Sequence, residues 1–143
     1  MTLSTLEKIS RKCGGSAICH LFDQTPWPDR AETLVKVGLV EAPTCSLSEV
    51  SAKDAQLLLA LALSRNLCYG SRRMSSHTGS ELAASFLALF PAAARYYTNS
   101  ETPYHLKGSA WIFGNMTLDT VDTGVVVRSG KFLSGVLWLS DID

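Results

Sequence analysis

The chain has 143 residues, of which 46% are hydrophobic and 18% charged, and its formal net charge is +0. This length fits one domain, residues 1–143, that buries most of its apolar surface in a single core. The balanced charge argues against a general nucleic-acid binder, because such proteins carry a positive excess that neutralises phosphates. We therefore expect no direct nucleic-acid partner.

The hydropathy pattern predicts neither a membrane span nor a secretory signal. The longest apolar run, residues 57–63, is far shorter than the roughly 20 residues that cross a bilayer. The N-terminal segment MTLSTLEKISRKCGG is polar and lacks the apolar centre and the small-residue cleavage site of a signal peptide. We expect a cytoplasmic protein without a membrane partner.

Capping patterns predict helices in the first part of the chain. Ser4 and Glu7 form an S-x-x-E capping box, which opens a helix over about 4–12. Residues 17–22 (AICHLF) are too few to distinguish a helix from a buried strand. A further helix is expected over about 29–37, after a Pro-rich breaker.

The longest predicted helix covers about 47–69. Two capping patterns compete for its start, Ser46 with Glu49 and Ser51 with Asp54. Its middle is apolar on every face, so the helix should be central and nearly enclosed.

The next helix is predicted over about 79–90, boxed by Thr78 and Glu81. After this helix the sequence consists of short segments rich in β-branched and aromatic residues, which is typical of strands. These segments are ARYYTN, SAWIFG, DTGVVVRS and FLSGVLWLS. Helices first (about 1–90) and strands later (about 91–143) predict an α+β fold, in which N-terminal helices pack on a C-terminal antiparallel meander.

The last two predicted strands pair across Ser129-Gly130-Lys131. Residues 125–127 and 136–139 are apolar on both faces, which is typical of strands inside a sheet. Gly135 predicts a bulge or a close backbone approach. Trp138 lies in the second apolar run and is expected in the core.

The cysteines do not form a metal-binding pattern. Cys13, Cys19 and His20 lie in CGGSAICH, where the gap between the cysteines is longer than that of a zinc knuckle. No second knuckle follows. We expect buried thiols, no metal and no cofactor.

Catalytic motifs are also missing from the sequence. It contains no G-x-S-x-G elbow, no G-x-x-x-x-G-K-[ST] phosphate loop and no H-E-x-x-H. A Cys–His pair such as Cys68 with His77 would supply a nucleophile if the fold brought the two together. The simpler reading is a core thiol and a surface imidazole.

Four carboxylates lie near the C-terminal end: Asp119, Asp122, Asp141 and Asp143. Three roles stay open for them. They can form an acid/base pair, a solvated rim, or a negative recognition surface that speeds the encounter with a basic partner.

A basic cluster, Arg65, Arg72 and Arg73, follows the apolar part of the longest predicted helix. Cations at a helix C-terminus are stabilised by the helix dipole, which is sufficient to explain them. A phosphate or RNA contact is the alternative, with Tyr69 available for stacking.

Three segments of the C-terminal two thirds resemble small bacterial immunity proteins of polymorphic-toxin and contact-dependent growth inhibition systems. They are LFP-x-x-A-R-Y-Y-T-N (residues 89–99), D-T-G-V-V-V (122–127) and G-V-L-W-L-S-D-I-D (135–143). Immunity proteins against nucleases are often acidic, and the neutral charge of this chain departs from that pattern.

The resemblance implies an antitoxin that acts by binding and not by catalysis. The partner would be the C-terminal toxin domain of a cognate secreted effector, blocked at its active or docking surface through an interface of standard size. The candidate contact residues are exposed aromatic and charged side chains: Asp122, Asp141 and Asp143; Tyr96, Tyr97 and Tyr104; Arg72 and Arg73.

Two other classes of function remain open. One is a small cytoplasmic enzyme with an unrecognised site around Cys68, His77 or the aspartates. The other is a general protein-interaction module with no toxin as its target.

Overall fold

A five-stranded antiparallel sheet and three helices form the described part of the fold, which is α+β. The computed structural model describes residues 2–13, 17–22, 48–64, 73–98, 121–129 and 134–141. The helices are α1 (Thr2–Cys13), α2 (Ala52–Ser64) and α3 (Ser76–Leu87). The strands are β1 (Ala17–Phe22), β2 (Ser48–Val50), β3 (Arg95–Thr98), β4 (Val121–Arg128) and β5 (Ser134–Asp141).

The strand order is β1-β5-β4-β3-β2. Antiparallel pairing of β3 with β4 and of β4 with β5 agrees with the predicted meander, and these three strands follow one another among the described strands. The sheet extends beyond the strand-rich part expected over about 91–143. It is flanked on one side by β1, for which helix and strand were both open, and on the other by β2, which was not predicted. Residues 17–22 form strand β1. Every second residue, Ala17, Cys19 and Leu21, packs against the core, as expected for one face of a strand.

The two central strands are buried on both faces, as predicted. Val125 and Leu137 belong to the core that the helices cover. Val126 and Trp138 have no exposed surface either, although their positions alternate with the first pair. The predicted pairing of the last two strands is confirmed by the register from Val121–Asp141 to Val127–Gly135.

Glycine at 135 allows an aromatic ring and a neighbouring backbone to approach the sheet closely. A Cβ built there would lie 2.8 Å from Cζ of Phe90 and 3.0 Å from the carbonyl oxygen of His20. The ring of Phe90 would have to shift to admit this Cβ, and the contact with the His20 carbonyl would be tighter than most real Cβ contacts. The predicted close approach at Gly135 is therefore confirmed.

The start of α2 is set by Ser51. Its hydroxyl oxygen accepts a hydrogen bond from the amide of Asp54 at 3.1 Å, as expected of an N-cap. The competing start at Ser46–Glu49 is wrong, because Glu49 lies in β2 and pairs with Tyr97 of β3. The structure describes the helix as far as Ser64.

The other two helices begin one or two residues before their predicted capping boxes. In α3 the N-cap is Ser75, whose hydroxyl oxygen accepts from the amide of Thr78 at 3.1 Å. Thr78 is therefore in the first turn and is not the cap. Helix α1 begins at Thr2, so Ser4 lies inside the helix.

Helix α2 is buried on one side and open on the other, so the expectation of near enclosure is wrong. Its inward stripe contains Ala55, Leu58, Leu59, Ala62 and Leu63. Leu57, the first residue of the apolar run, is 42% exposed. An all-apolar run does not by itself decide how many faces of a helix are covered.

Several predictions fall outside the described residues: the helix over 29–37, the SAWIFG strand and the end of the long helix near Gly70. Among the helices that the structure describes, none is long and apolar enough to cross a membrane.

Candidate functional site

The two adjacent tyrosines predicted as exposed contacts are buried, so that expectation is wrong. Tyr96 is 8% exposed and Tyr97 7% exposed. The reason is that β3 lies between β2 and β4, with Tyr96 paired to Val50 and Val127. Burial also raises the pKa of the Tyr96 hydroxyl. Both rings contribute to packing more than to the surface.

The predicted acidic surface is divided between the two faces of the sheet. Asp122 pairs with Ser140, and Asp141 pairs with Val121. Because successive residues of a strand alternate between faces, positions 122 and 141 belong to opposite faces. Asp143 lies outside the described residues. Positions 122 and 141 therefore do not share a face of this sheet.

Arg73 lies at the C-terminal end of α2, as its basic cluster predicted. Its guanidinium Nη2 donates to the carbonyl oxygen of Ala62 at 3.4 Å, and its backbone amide donates to the carbonyl oxygen of Ser64 at 2.7 Å. Carbonyls in the last turn of a helix lack intrahelical donors, and these bonds satisfy two of them. Arg73 thus has a structural role, whereas Arg72, Arg65 and Tyr104 fall outside the described residues.

The thiols in the described part are Cys13 at the end of α1 and Cys19 in β1. Cys13 is buried and Cys19 is partly buried. Burial, with a smaller contribution from the charge of Cys13, raises the pKa of Cys19 from 9.0 to about 12. A thiol so strongly protonated is a poor nucleophile and a poor metal ligand at neutral pH.

The side chains expected for metal binding or catalysis do not meet in this part of the chain. Within the described residues, no group of three His, Cys, Asp or Glu side chains is arranged to hold a metal ion. His77 lies on the exposed side of α3, where its Nε2 is 2.9 Å from Oε1 of Glu81. Cys68, the thiol considered as its catalytic partner, lies outside the described ranges.

A groove lies between α1 and α3. Its volume is about 340 Å³. From α1 it is lined by Thr5, Lys8, Arg11 and Lys12, and from α3 by Thr78, Glu81, Leu82 and Ser85. On each helix these residues recur at intervals of three and four, so each set is one helical face. We call this surface the α1–α3 groove.

Most residues that line the α1–α3 groove carry a polar group, and the cations among them outnumber the anions. Three side chains are cationic, three carry a hydroxyl group, and Leu82 is the one apolar contributor in the set. Arg11 and Lys12 are in the last turn of α1, where the helix dipole favours cations. Lys8 lies a turn earlier and four residues from Lys12, an arrangement of like charges that slightly destabilises a helix.

The sequence signal for this groove was the spacing Thr5–Lys8–Lys12 beside the buried Ile9 and Cys13. That spacing predicts a polar helical face next to an apolar one. It does not reveal that the polar face of α1 meets Thr78, Glu81 and Ser85, which are distant in the sequence. The groove results from helix packing.

Comparison of the chain with protein-family models, with curated proteins and with solved structures finds no match.

Proposed function

We propose that this protein is an immunity protein, which binds the toxin domain of a cognate secreted effector in the cytoplasm and neutralises it by covering its active or docking surface. The proposal comes from the resemblance of residues 89–99, 122–127 and 135–143 to such proteins.

The observation that carries the proposal is that these three separate segments include or overlap β3, β4 and β5. Those strands are adjacent in the sheet, with β4 in the middle. The resemblance therefore covers one contiguous structural unit and not three unrelated loops. This supports a shared scaffold.

Many side chains of these strands form the core, so most of the contact surface has to come from other residues. Tyr96, Val126 and Trp138 are buried. An interface of standard size removes about 800 Å² of surface from each partner. That area has to come from exposed residues, and the α1–α3 groove supplies a concave, charged part of it.

A toxin-protection assay tests the proposal. The toxin domain of a candidate effector is expressed under an inducible promoter, with or without the immunity candidate. We expect growth to be restored only when both are made, and the tagged protein to recover the toxin domain in near-stoichiometric amount. An immunity protein from an unrelated pair is the control and should restore nothing.

A variant that unfolds the candidate adds a second control. Leu137→Asp places a charge at a fully buried core position and should abolish protection. The proposal is overturned if growth is not restored and no toxin domain is recovered with the folded wild-type protein.

A further inference from the structure

The α1–α3 groove concentrates positive charge on a protein whose formal net charge is +0. Lys8, Arg11 and Lys12 all line it, against the single carboxylate of Glu81. Oε1 of Glu81 is already 2.9 Å from His77 Nε2. Glu7 approaches Arg11 to 3.7 Å, but both side chains are largely exposed and such pairs contribute little. The groove therefore keeps an excess of cations.

Hydroxyl groups on the opposite wall complement these cations. The hydroxyl of Ser75 donates to Oγ1 of Thr78 at 2.9 Å, so the Thr78 proton can be donated to another acceptor. Thr78 is also in the first turn of α3, where the helix dipole is positive. Ammonium, guanidinium and hydroxyl donors face one concave space, and their shared complement is an anion with several oxygen acceptors.

The composition of the lining indicates which kind of anion fits. Seven of the eight lining residues carry a polar or charged group, although the aliphatic parts of their side chains contribute more of the groove surface than the polar atoms do. Arg11 is 81% exposed, and an exposed cation adds little affinity by itself. An open set of mobile cations suits the rim of a larger interface, where it accelerates association and selects partners of opposite charge.

We infer that the α1–α3 groove receives a carboxylate-rich segment of the toxin domain, with Lys8, Arg11 and Lys12 as its principal contacts. The inference rests on the proposed function and adds the sign of the partner's surface. The cationic groove requires an acidic surface on the partner, whereas the aspartates at the end of β5 would require a basic one.

The intrinsic preference of the groove is tested first with a short fluorescein-labelled poly-glutamate peptide. Binding is followed by fluorescence anisotropy at about 0.05 M salt, where screening is weak. The double substitution Lys8→Glu with Lys12→Glu reverses the net charge of the groove lining from positive to negative. The matched control, Lys53→Glu with Arg95→Glu, makes the same change of net charge on other elements, at positions that are exposed.

We expect the peptide to bind the wild type and the control, and to bind the groove variant at least about tenfold more weakly. Lys8→Gln with Lys12→Gln provides a milder variant that avoids placing anions at the C-terminal end of α1. Unfolding curves confirm that each variant is folded. Equal peptide binding by the groove variant and the control overturns the inference, as does stronger competition by inorganic phosphate than by the peptide.

The toxin domain itself then separates this inference from the proposed function. Association rates are measured for the wild type, the groove variant and the control at about 0.05 M and about 0.5 M salt. We expect the groove variant to associate about tenfold more slowly at low salt and to approach the wild type at high salt. If the groove variant associates as fast as the wild type, the groove is not the contact, and the proposed function is unaffected. If the wild type does not bind the toxin domain at all, the proposed function is refuted as well.

Discussion

Gly124 and Trp138 face each other across β4 and β5, and the tryptophan occupies the space that a side chain at 124 would need. A Cβ built on Gly124 would lie 2.6 Å from Cα and 2.9 Å from Cε3 of Trp138, and it would overlap the carbonyl oxygen of Leu137. Two of these atoms are backbone and cannot swing aside. A glycine at this position therefore lets β4 and β5 pair while the fully buried indole packs over them.

Gly124→Ala should consequently destabilise the fold by about 2 kcal/mol or more, since overpacking a rigid core position forces a backbone shift. Urea unfolding followed by far-ultraviolet circular dichroism measures the loss. Ser80→Ala, on the exposed side of α3, is the control and should change the free energy of unfolding by less than about 0.5 kcal/mol. A Gly124→Ala protein as stable as the wild type would contradict the packing described here.

The two competing helix starts can be distinguished by the same substitution at two serines. Ser51→Ala removes the acceptor for the amide of Asp54 and should lower the free energy of unfolding by about 1 kcal/mol. Ser46→Ala is the matched control, because a helix that begins at Ala52 takes no cap from residue 46. A larger loss at Ser46 than at Ser51 would place the helix start where β2 now lies.

The sequence predicted the α+β class and the β3–β4–β5 meander because local apolar runs such as residues 125–127 determine them. It did not predict β2, in which Ser48 and Glu49 are exposed polar residues whose strand conformation depends on pairing with β3. The burial of Tyr97 follows from the same non-local pairing. An exposed pair of tyrosines was therefore expected where a buried pair exists.

The candidate site shows the same division between local and non-local information. The basic face of α1 can be read from the spacing of Lys8 and Lys12, whereas its juxtaposition with Thr78 and Ser85 depends on how α1 and α3 pack. Arg73 was correctly associated with the end of the long helix, because a cation after an apolar helical run is a local signal.

Arg73 should contribute to stability and not to binding. Arg73→Ala removes the hydrogen bond to the carbonyl oxygen of Ala62, at a position that is partly buried. We expect a loss of about 1 kcal/mol in the free energy of unfolding, measured by urea denaturation. Toxin affinity of the folded fraction should be unchanged. If Arg73→Ala kept full stability but lost affinity for the toxin domain, Arg73 would belong to the interface after all.

Deprotonation of Cys19 should lower the stability of the fold at alkaline pH. Its pKa of about 12 in the folded protein lies above the ordinary 9.0, so the folded state holds this proton more tightly than the unfolded state. The resulting stability is fully present below pH 9.0 and is lost as the pH rises from 9.0 towards about 12. Tyr96, whose pKa is also raised by burial, acts in the same direction at higher pH.

The contribution of Cys19 is isolated by comparing the wild type with Cys19→Ala in urea unfolding between pH 7 and pH 10.5. We expect the wild type to lose stability above pH 9.0 more steeply than the variant, approaching a slope of about 1.4 kcal/mol per pH unit. At pH 8 the folded wild type should also protect Cys19 from iodoacetamide. Parallel stability curves for the two proteins would show that Cys19 keeps an ordinary pKa.

Charge reversal at the end of β5 tests the acidic contact that the sequence predicts. Asp141→Lys with Asp143→Lys should weaken toxin binding about tenfold without unfolding the protein, because Asp141 is the last residue of its strand and pairs only with Val121 at the start of β4. Titration calorimetry with the toxin domain measures the affinity, and thermal unfolding checks the fold. Unchanged affinity would remove both aspartates from the interface and leave the α1–α3 groove as the charged contact to pursue.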